Sequence, residues 1–341
     1  MDDLTPSKRR SPTLKTIAGL TGLAVPTVSR ALSGALDISE DTRARVRAVA
    51  DEIGYVPNRA GVRLRTGRTN VVSLVMSTEH DVMNHTAKLI SSVAAGLRNT
   101  PFHLIITPYF ADEDPMKPIR YIVETGSADA VIFNQIKPED PRVQYLLDRK
   151  FPFATHGRSA RCDEHAWFDF DNAAFGQLGV RTLARRGRRK LALVAPPIDQ
   201  SYAQAMVAGC KAEAAAQGVD LMVVTGFNSD SPVTDVQAKF GALLQGKDVP
   251  DGVITGSTNS ALAVGAALLA NGLTMGHDVD IYTKEALNFM RRVWPEVLAI
   301  SEDVSAAGDF LARAAMAQVM DPDARLMQYL DKPTMADICR D

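Results

Sequence analysis

The sequence predicts a small all-α helix-turn-helix head followed by a larger α/β core of two parallel-sheet lobes. Three observations carry this expectation. Residues 13–56 contain three short helix-period segments and no strand-like run. From Val71 onward, short apolar runs alternate with helical ones, and repeated β-α-β units give parallel sheets covered by helices on both faces. The alternation comes in two sets of similar size, which makes two lobes. A length of 341 residues accommodates two or three domains.

In the head, Thr13 caps a first helix from about Leu14 to Thr21, and Gly22 stops it. A second helix runs from about Pro26 to Leu32, with Pro26 in the first turn, where its missing N–H costs nothing. Ser39 caps a third helix that ends near Gly54. Its Val46, Val49, Ala50 and Ile53 fall at i, i+3, i+4 and i+7 and form one apolar stripe. A short basic helix is expected from Asn58 to Thr66, terminated by Gly67 and too short to be stable alone. Residues 1–12 read as a flexible polar tail.

In the core, strands are expected at Val71–Met76, Phe102–Thr107, Ala130–Phe133 and Phe153–His156. Helices are expected at Thr86–Leu97, Met116–Thr125 and Arg142–Arg149. The second set comprises helices Asn172–Arg185, Ala203–Gln217, Thr234–Leu244 and Ser260–Ala270. Its strands are Leu191–Val194, Leu221–Thr225, Gly252–Thr255 and Asp280–Tyr282. The domain boundaries expected are a tail (1–12), a head (13–57), a hinge (58–69) and a core (70–341). Within the core the first lobe takes about 70–168 plus 297–325, and the second about 169–296 plus 326–341.

Composition excludes several classes. Hydrophobic residues make up 46% and charged residues 23%, as in a soluble globular protein. No run of about 18 apolar residues marks a membrane span, and the first residues lack the apolar stretch of an export signal. Cys162, Cys210 and Cys339 are scattered and odd in number, which fits a reducing cytoplasm and neither a disulfide framework nor a cysteine metal site. Charge is uneven: residues 1–68 hold 12 Lys and Arg against 7 Asp and Glu, and the remainder holds 26 against 33. A basic head on an acidic body suits a nucleic-acid-binding module attached to a body of another function.

The most informative stretch is Leu14 to Leu32. A helix-turn-helix needs a small residue where the helices cross, a glycine at the turn and an apolar anchor on the second helix; Ala18, Gly22 and Val28 supply them. Four runs then follow in order: Thr27-Val28-Ser29-Arg30-Ala31-Leu32-Ser33, Ser39-Glu40-Asp41-Thr42-Arg43, Gly54-Tyr55-Val56-Pro57-Asn58 and Leu64-Arg65-Thr66-Gly67-Arg68-Thr69. In order and spacing they resemble the head of the LacI/GalR (lac repressor) family, and the two-lobed pattern behind them resembles that family's periplasmic-binding-protein-like sensor core.

The resemblance implies a sequence-specific repressor, dimeric on a near-palindromic DNA operator, cytoplasmic and nucleoid-associated, and controlled by a small molecule bound between the lobes. It implies that the second helix enters the major groove. By position, Thr16, Val25, Pro26, Thr27, Ser29 and Arg30 would contact DNA, with Arg30 best suited to guanine or phosphate. Val25 offers only an apolar surface, and Pro26 donates nothing. The basic helix would add Asn58, Arg59 and Arg65, and would place Leu64 as a wedge in the minor groove. Ala24 departs from the Ser cap usual in the family. Residues Tyr329 to Asp341 carry no leucine heptad, which favours a dimer over a tetramer.

Effector residues would come from loops after the strands of both lobes: Glu79, His80, Asp81, Asn134, His156, Arg158, Asp171, Tyr202, Gln204, Phe227, Asn259 and Glu285. Carboxylates, amides and aromatic rings suit a sugar or glycoside, whose hydroxyls want paired donors and acceptors and whose C–H faces want apolar surface. Several of these residues have structural alternatives. Asp171 and Asn259 could cap helices, His156 and Arg158 could pair with each other, and Trp167 and Phe168 could be core. Three positions depart from the family pattern: Met206 where Arg is common, Asn259-Ser260 where Asn-Asp is common, and Thr283-Lys284-Glu285 where Gly-Phe-Asp is usual. A nucleobase or phosphorylated metabolite is the alternative effector.

An enzyme is disfavoured. The chain has no phosphate-binding or dinucleotide-binding glycine loop, no His-Glu-x-x-His and no Gly-x-Ser-x-Gly. No cofactor and no metal are expected, since His80 and His85 stand five apart, a poor spacing for a helical metal pair. A transport solute-binding protein shares the two-lobed body but not the head.

Overall fold

A computed structural model describes residues 12–56, 61, 63, 67–78, 85–110, 112–287 and 289–333. It contains two compact units, one ending at Thr69 and one starting at Asn70.

The first unit holds α1 (Leu14–Thr21), α2 (Val25–Leu32) and α3 (Glu40–Glu52). Thr13 and Thr16 form a reciprocal capping box at the start of α1, and Gly22 ends that helix at φ 68°. The left-handed φ there suits a residue without Cβ. Ser39 caps α3 by accepting from Thr42 N. Ile17, Ala18, Val28, Ala31, Val46 and Ala50 close the small core. The Arg45 guanidinium ties α3 to the end of α1 by donating to the Thr21 carbonyl.

The second unit has two parallel sheets. The first comprises β1 (Val71–Ser77), β2 (His103–Tyr109), β3 (Ala130–Phe133), β4 (Phe153–His156), β5 (Ala166–Phe170) and β11 (Gln328–Asp331), in the order β11-β5-β4-β3-β1-β2. Helices α4 (Ala87–Gly96) and α12 (Val304–Met320) cover one face, with Leu89, Val93, Val304 and Leu311 in the core. Helices α5 (Met116–Thr125) and α6 (Pro141–Asp148) cover the other through Ile119, Ile122, Val143 and Leu146.

The second sheet comprises β6 (Lys190–Val194), β7 (Asp220–Val223), β8 (Gly252–Thr255), β9 (Asp280–Glu285) and β10 (Leu298–Ser301), in the order β10-β9-β8-β6-β7. Helices α7 (Asn172–Arg185) and α8 (Ser201–Gln217) pack on one face. Helices α9 (Val233–Leu244) and α10 (Thr258–Ala270) pack on the other, with the one-turn α11 (Met290–Val293) beside them. Helices α7 and α8 approach so closely that a Cβ at Gly209 would lie 2.2 Å from the Ala173 carbonyl oxygen.

The fold class agrees with the sequence expectation, and the chain's path between the lobes corrects it. The expected lobe boundary between 168 and 169 falls inside β5, Ala166–Phe170, a strand of the first sheet paired with β4. Residues 297–301, expected in the first lobe, include β10, which pairs with β9 in the second sheet. Residues 328–331, expected in the second lobe, form β11 beside β5. The physical reason is strand pairing: backbone bonds Trp167 N to Met327 O and Asp171 N to Asp331 O extend the first sheet by one edge. Within the described residues the chain therefore crosses between lobes twice, at Asp171 and near Glu302.

Candidate functional site

The head presents one face of α2. Val28 and Ala31 are buried, so Pro26 and Arg30, four residues apart, lie together on the exposed side, with Val25, Thr27 and Ser29 half-buried beside them. No side chain caps α2 at Ala24, which leaves its first backbone donors free of a local acceptor. The Arg30 guanidinium pairs with Asp37, and both side chains are about half exposed. An exposed pair of this kind contributes at most about 1 kcal/mol, so a stronger acceptor displaces Asp37 readily. The Thr16 hydroxyl serves the capping box. Asn58, Arg59, Leu64 and Arg65 lie outside the described residues.

The core presents a cleft between its lobes. It encloses about 950 Å³ of empty space, counting that open to solvent. Its walls are loops at the carboxyl ends of strands in both sheets, where ligands bind parallel α/β sheets. The first lobe supplies Asn134 and Gln135 after β3, His156 and Gly157 at the end of β4, and Asp169 near the end of β5. The second supplies Pro196, Tyr202, Asp230, Gly256, Ser257, Thr258 and the run Lys284-Glu285-Ala286. Asn172, Glu302, His85 and Thr86 complete the lining.

Each wall is held from behind. Arg142, with a side chain only 4% exposed, pairs with Asp140 at 2.7 Å and donates to the carbonyls of Asn134 and Gln135. Gln135 sits at φ 56°, a conformation uncommon for a residue with a side chain, and the Arg142 bonds hold it there. Burial alone would raise the Asp140 carboxyl, but Arg142's hydrogen bond and charge bring it below its ordinary range. The Asn134 side-chain oxygen is buried and has no hydrogen-bond partner within the chain. An orphan acceptor facing a cleft is a place for a ligand donor.

Charges in the cleft are mutually compensated. Lys284 Nζ lies 3.1 Å from Glu302 Oε2, donates to Asn172 Oδ1, and stands over the rings of Phe170 and Tyr202 at 5.4 and 5.5 Å. Glu302 Oε1 faces His85 Nε2 at 3.6 Å and His156 Nε2 at 3.7 Å. Burial would raise the Glu302 carboxyl, yet Lys284 and the two imidazoles hold it well below its usual value. Burial, with His85 beside it, pushes His156 down to about 4. Burial also lifts Asp169 to about 6 despite the Arg158 Nε bond at 2.7 Å, and it raises Glu285 and Tyr202.

Of the effector residues expected from sequence, Asn134, His156, Tyr202 and Glu285 line the cleft. Five others are not among its lining residues. Arg158 stands behind the wall as the partner of Asp169, and it does not pair with His156. Asp171 caps α7 by accepting from Ala174 N. Gln204 is exposed and donates to the Ile198 carbonyl. Phe227 packs against the second-lobe core. Asn259 sits inside α10, which Ser257 caps. Glu79, His80 and Asp81 lie outside the described residues. Met206, where the family pattern has Arg, is fully buried in the α7–α8 core. Sequence reasoning missed Glu302, Asp230 and Thr86, because β10 went unrecognised and no motif surrounds them.

Comparison with known proteins places this architecture. Residues 13–58 match the model described as bacterial regulatory proteins, lacI family, and residues 180–337 match the periplasmic binding protein-like domain. The HTH-type transcriptional regulator AglR of Rhizobium meliloti is 30% identical over 79% of this chain and 76% of its own length. The chain belongs to the lacI family of bacterial regulatory proteins. This lacI-family regulator is also 27% identical to the HTH-type transcriptional regulator CelR of Thermobifida fusca, over 90% of this chain and 91% of that one. Its fold is shared by a lac repressor dimer bound to operator and the anti-inducer ONPF, at TM-score 0.82 and 17% identity, covering 95% of this chain and 97% of that one. A transcriptional regulator CelR–cellobiose complex aligns at TM-score 0.68 and 23% identity, covering 95% and 98%. The relatives are regulators, and this chain is a DNA-binding transcriptional regulator rather than an enzyme. Among the described residues, no helix is long and apolar enough to cross a membrane.

Proposed function

We propose that this regulator is a homodimeric repressor of a near-palindromic operator, released from DNA when a neutral sugar or glycoside occupies the cleft. The observation that carries the effector class is the balance of polar groups there. The orphan Asn134 oxygen and the carboxylates of Asp169, Asp230 and Glu285 are acceptors for hydroxyl donors. Lys284, the one Lys or Arg among the described lining residues, is already paired with Glu302. A phosphate would sit against the carboxylates of Asp169, Asp230 and Glu285, which disfavours a phosphorylated effector. The cellobiose bound by a fold relative agrees with a sugar reading.

The geometry supports a switch between lobe arrangements. The cleft draws on both lobes, and contacts already span it: Ser201 N donates to Ile136 O at 2.8 Å, and Lys137 Nζ pairs with Asp199 at 2.8 Å. A ligand held by both walls favours one lobe arrangement over another, and coupling of about 1–3 kcal/mol is typical of such switches. The dimer reading draws on β2, an edge strand with Ile105 and Ile106 exposed and Phe110 and Tyr121 exposed nearby. Apolar edge strands are ordinarily covered. A regulator of this kind works in the cytoplasm on the nucleoid.

The test is thermal melting against neutral mono- and disaccharides, sugar phosphates and nucleobases, followed by operator release with whatever binds. A ligand at about a hundred times its Kd adds about 2.7 kcal/mol of stability, a visible rise in Tm. The expected result is a rise confined to neutral glycosides. A rise with sugar phosphates or nucleobases alone would overturn the reading.

A further inference from the structure

We propose that His85, His156 and Glu302 form a binding site for a zinc-class divalent ion in the wall of the cleft, with the ion's remaining positions open to the cavity. These residues come from three distant parts of the chain, the start of α4, the end of β4 and the second lobe crossing, which is why sequence spacing pointed to no metal. The two imidazoles stack with ring centroids 5.2 Å apart. Both Nε2 atoms face the same carboxylate oxygen, at 3.6 and 3.7 Å, and the three donor atoms lie within 4.8 Å of one another. Zinc takes imidazole nitrogen and carboxylate oxygen at about 2.0–2.2 Å, so tetrahedral donors stand roughly 3.3–3.5 Å apart. Only a small inward movement is needed.

The donor chemistry is matched to such an ion. Two imidazoles and one carboxylate select zinc and its first-row neighbours over calcium or magnesium, which prefer all-oxygen sets. Glu302 is 6% exposed, so its geometry is set by packing. Lys284 occupies Oε2 and leaves Oε1 to the imidazoles. All three residues line the cavity, and two His with one Glu leave a fourth position there. Water fills that position, or a hydroxyl of the effector; this second part rests on the sugar reading above, and the ion site does not.

The test uses the full-length protein, stripped with a chelator and titrated with zinc sulfate by calorimetry in the absence of sugar. The expected result is one zinc per chain. His85→Ala removes the most exposed of the three donors, so it tests the site with little damage to the core, and Glu302→Gln removes the carboxylate charge. Each should weaken zinc binding by more than about a hundredfold, beyond the roughly 10–100-fold typical of outer-shell changes. Cobalt(II) should give visible absorption of a His/carboxylate site in the wild type and not in the variants. Far-UV circular dichroism and a cooperative thermal transition of the variants check that they fold. Absence of stoichiometric zinc, or zinc retained in both variants, overturns the site. Glycoside titrations with and without zinc separate the two readings. Zinc bound with no glycoside response leaves the ion site standing and defeats the sugar reading. Glycoside bound by a protein that takes no zinc does the reverse.

Discussion

Arg30 and Asp169 show how much a single side chain carries. On α2, Arg30 is a long cation on an exposed face whose neighbours Pro26 and Val25 offer no donor. In the proposed reading, Arg30 is the strongest candidate on this helix for a base contact. Arg30→Ala should relax base preference at one position per half-site, with a cost of about 1–3 kcal/mol on the preferred sequence. A selection experiment on randomised operators checks this, and an unchanged preference profile would assign Arg30 to phosphate. Asp169 carries a pH dependence. Its folded pKa of about 6 lies above the ordinary 3.8, so the folded state holds the proton more tightly. Stability from this group is fully present below about pH 4 and is lost as pH rises through about 6. At about 1.4 kcal/mol per pH unit of displacement, the effect is up to about 3 kcal/mol. Wild type should gain stability relative to Asp169→Asn on acidification across this window, read from urea unfolding at several pH values; parallel profiles would refute it. Nothing local in the sequence signals that burial will set the charge of Asp169.

At the scale of elements, the loop after β3 owes its shape to one buried ion pair. Asp140 and Arg142 lie at the start of α6, and Arg142 reaches back to the carbonyls of Asn134 and Gln135. Arg142→Met leaves the Asp140 charge buried without a partner, an outcome that costs about 3–5 kcal/mol. Denaturant unfolding should show that loss, Asp140→Asn in the same chain should recover part of it, and the single variant should lose effector affinity through the displaced loop. Elements with strong local signals were legible in advance: α1 from Thr13 and Gly22, α3 from Ser39, and most core strands from their apolar runs. β5, β10 and β11 were not. They pair only with strands that lie elsewhere in the chain: β5 with β4 and β11, and β10 with β9.

For the whole molecule, the proposed dimer is tested most directly at β2, whose edge exposes Ile105 and Ile106. Ile106→Glu places a charge on an exposed apolar edge. If β2 joins the proposed dimer, that variant should sediment as a monomer, and operator affinity should fall by at least about tenfold, because two half-sites would no longer be engaged together. A variant that stays dimeric would show that the second copy docks elsewhere. The lobes also explain why part of the candidate site could be read in advance and part could not. Strand-end loops are predictable once strands are, so Asn134, His156, Tyr202 and Glu285 were nameable. Arg158 and Gln204 lie two residues from His156 and Tyr202, yet Arg158 pairs with Asp169 and Gln204 donates to the Ile198 carbonyl, while Asp171 caps α7.

By itself the sequence determined the class of each part: a helix-turn-helix head from its capped helices and ordered motifs, and a parallel two-lobed core from alternating strand and helix periods. These are local properties, since a period, a cap or a turn glycine acts within a few residues. Only the tertiary structure decided which side chains share the cleft. The convergence of His85, His156, Lys284 and Glu302 depends on two lobe crossings and on which strands pair. The charge states there follow from burial, which no stretch of sequence contains.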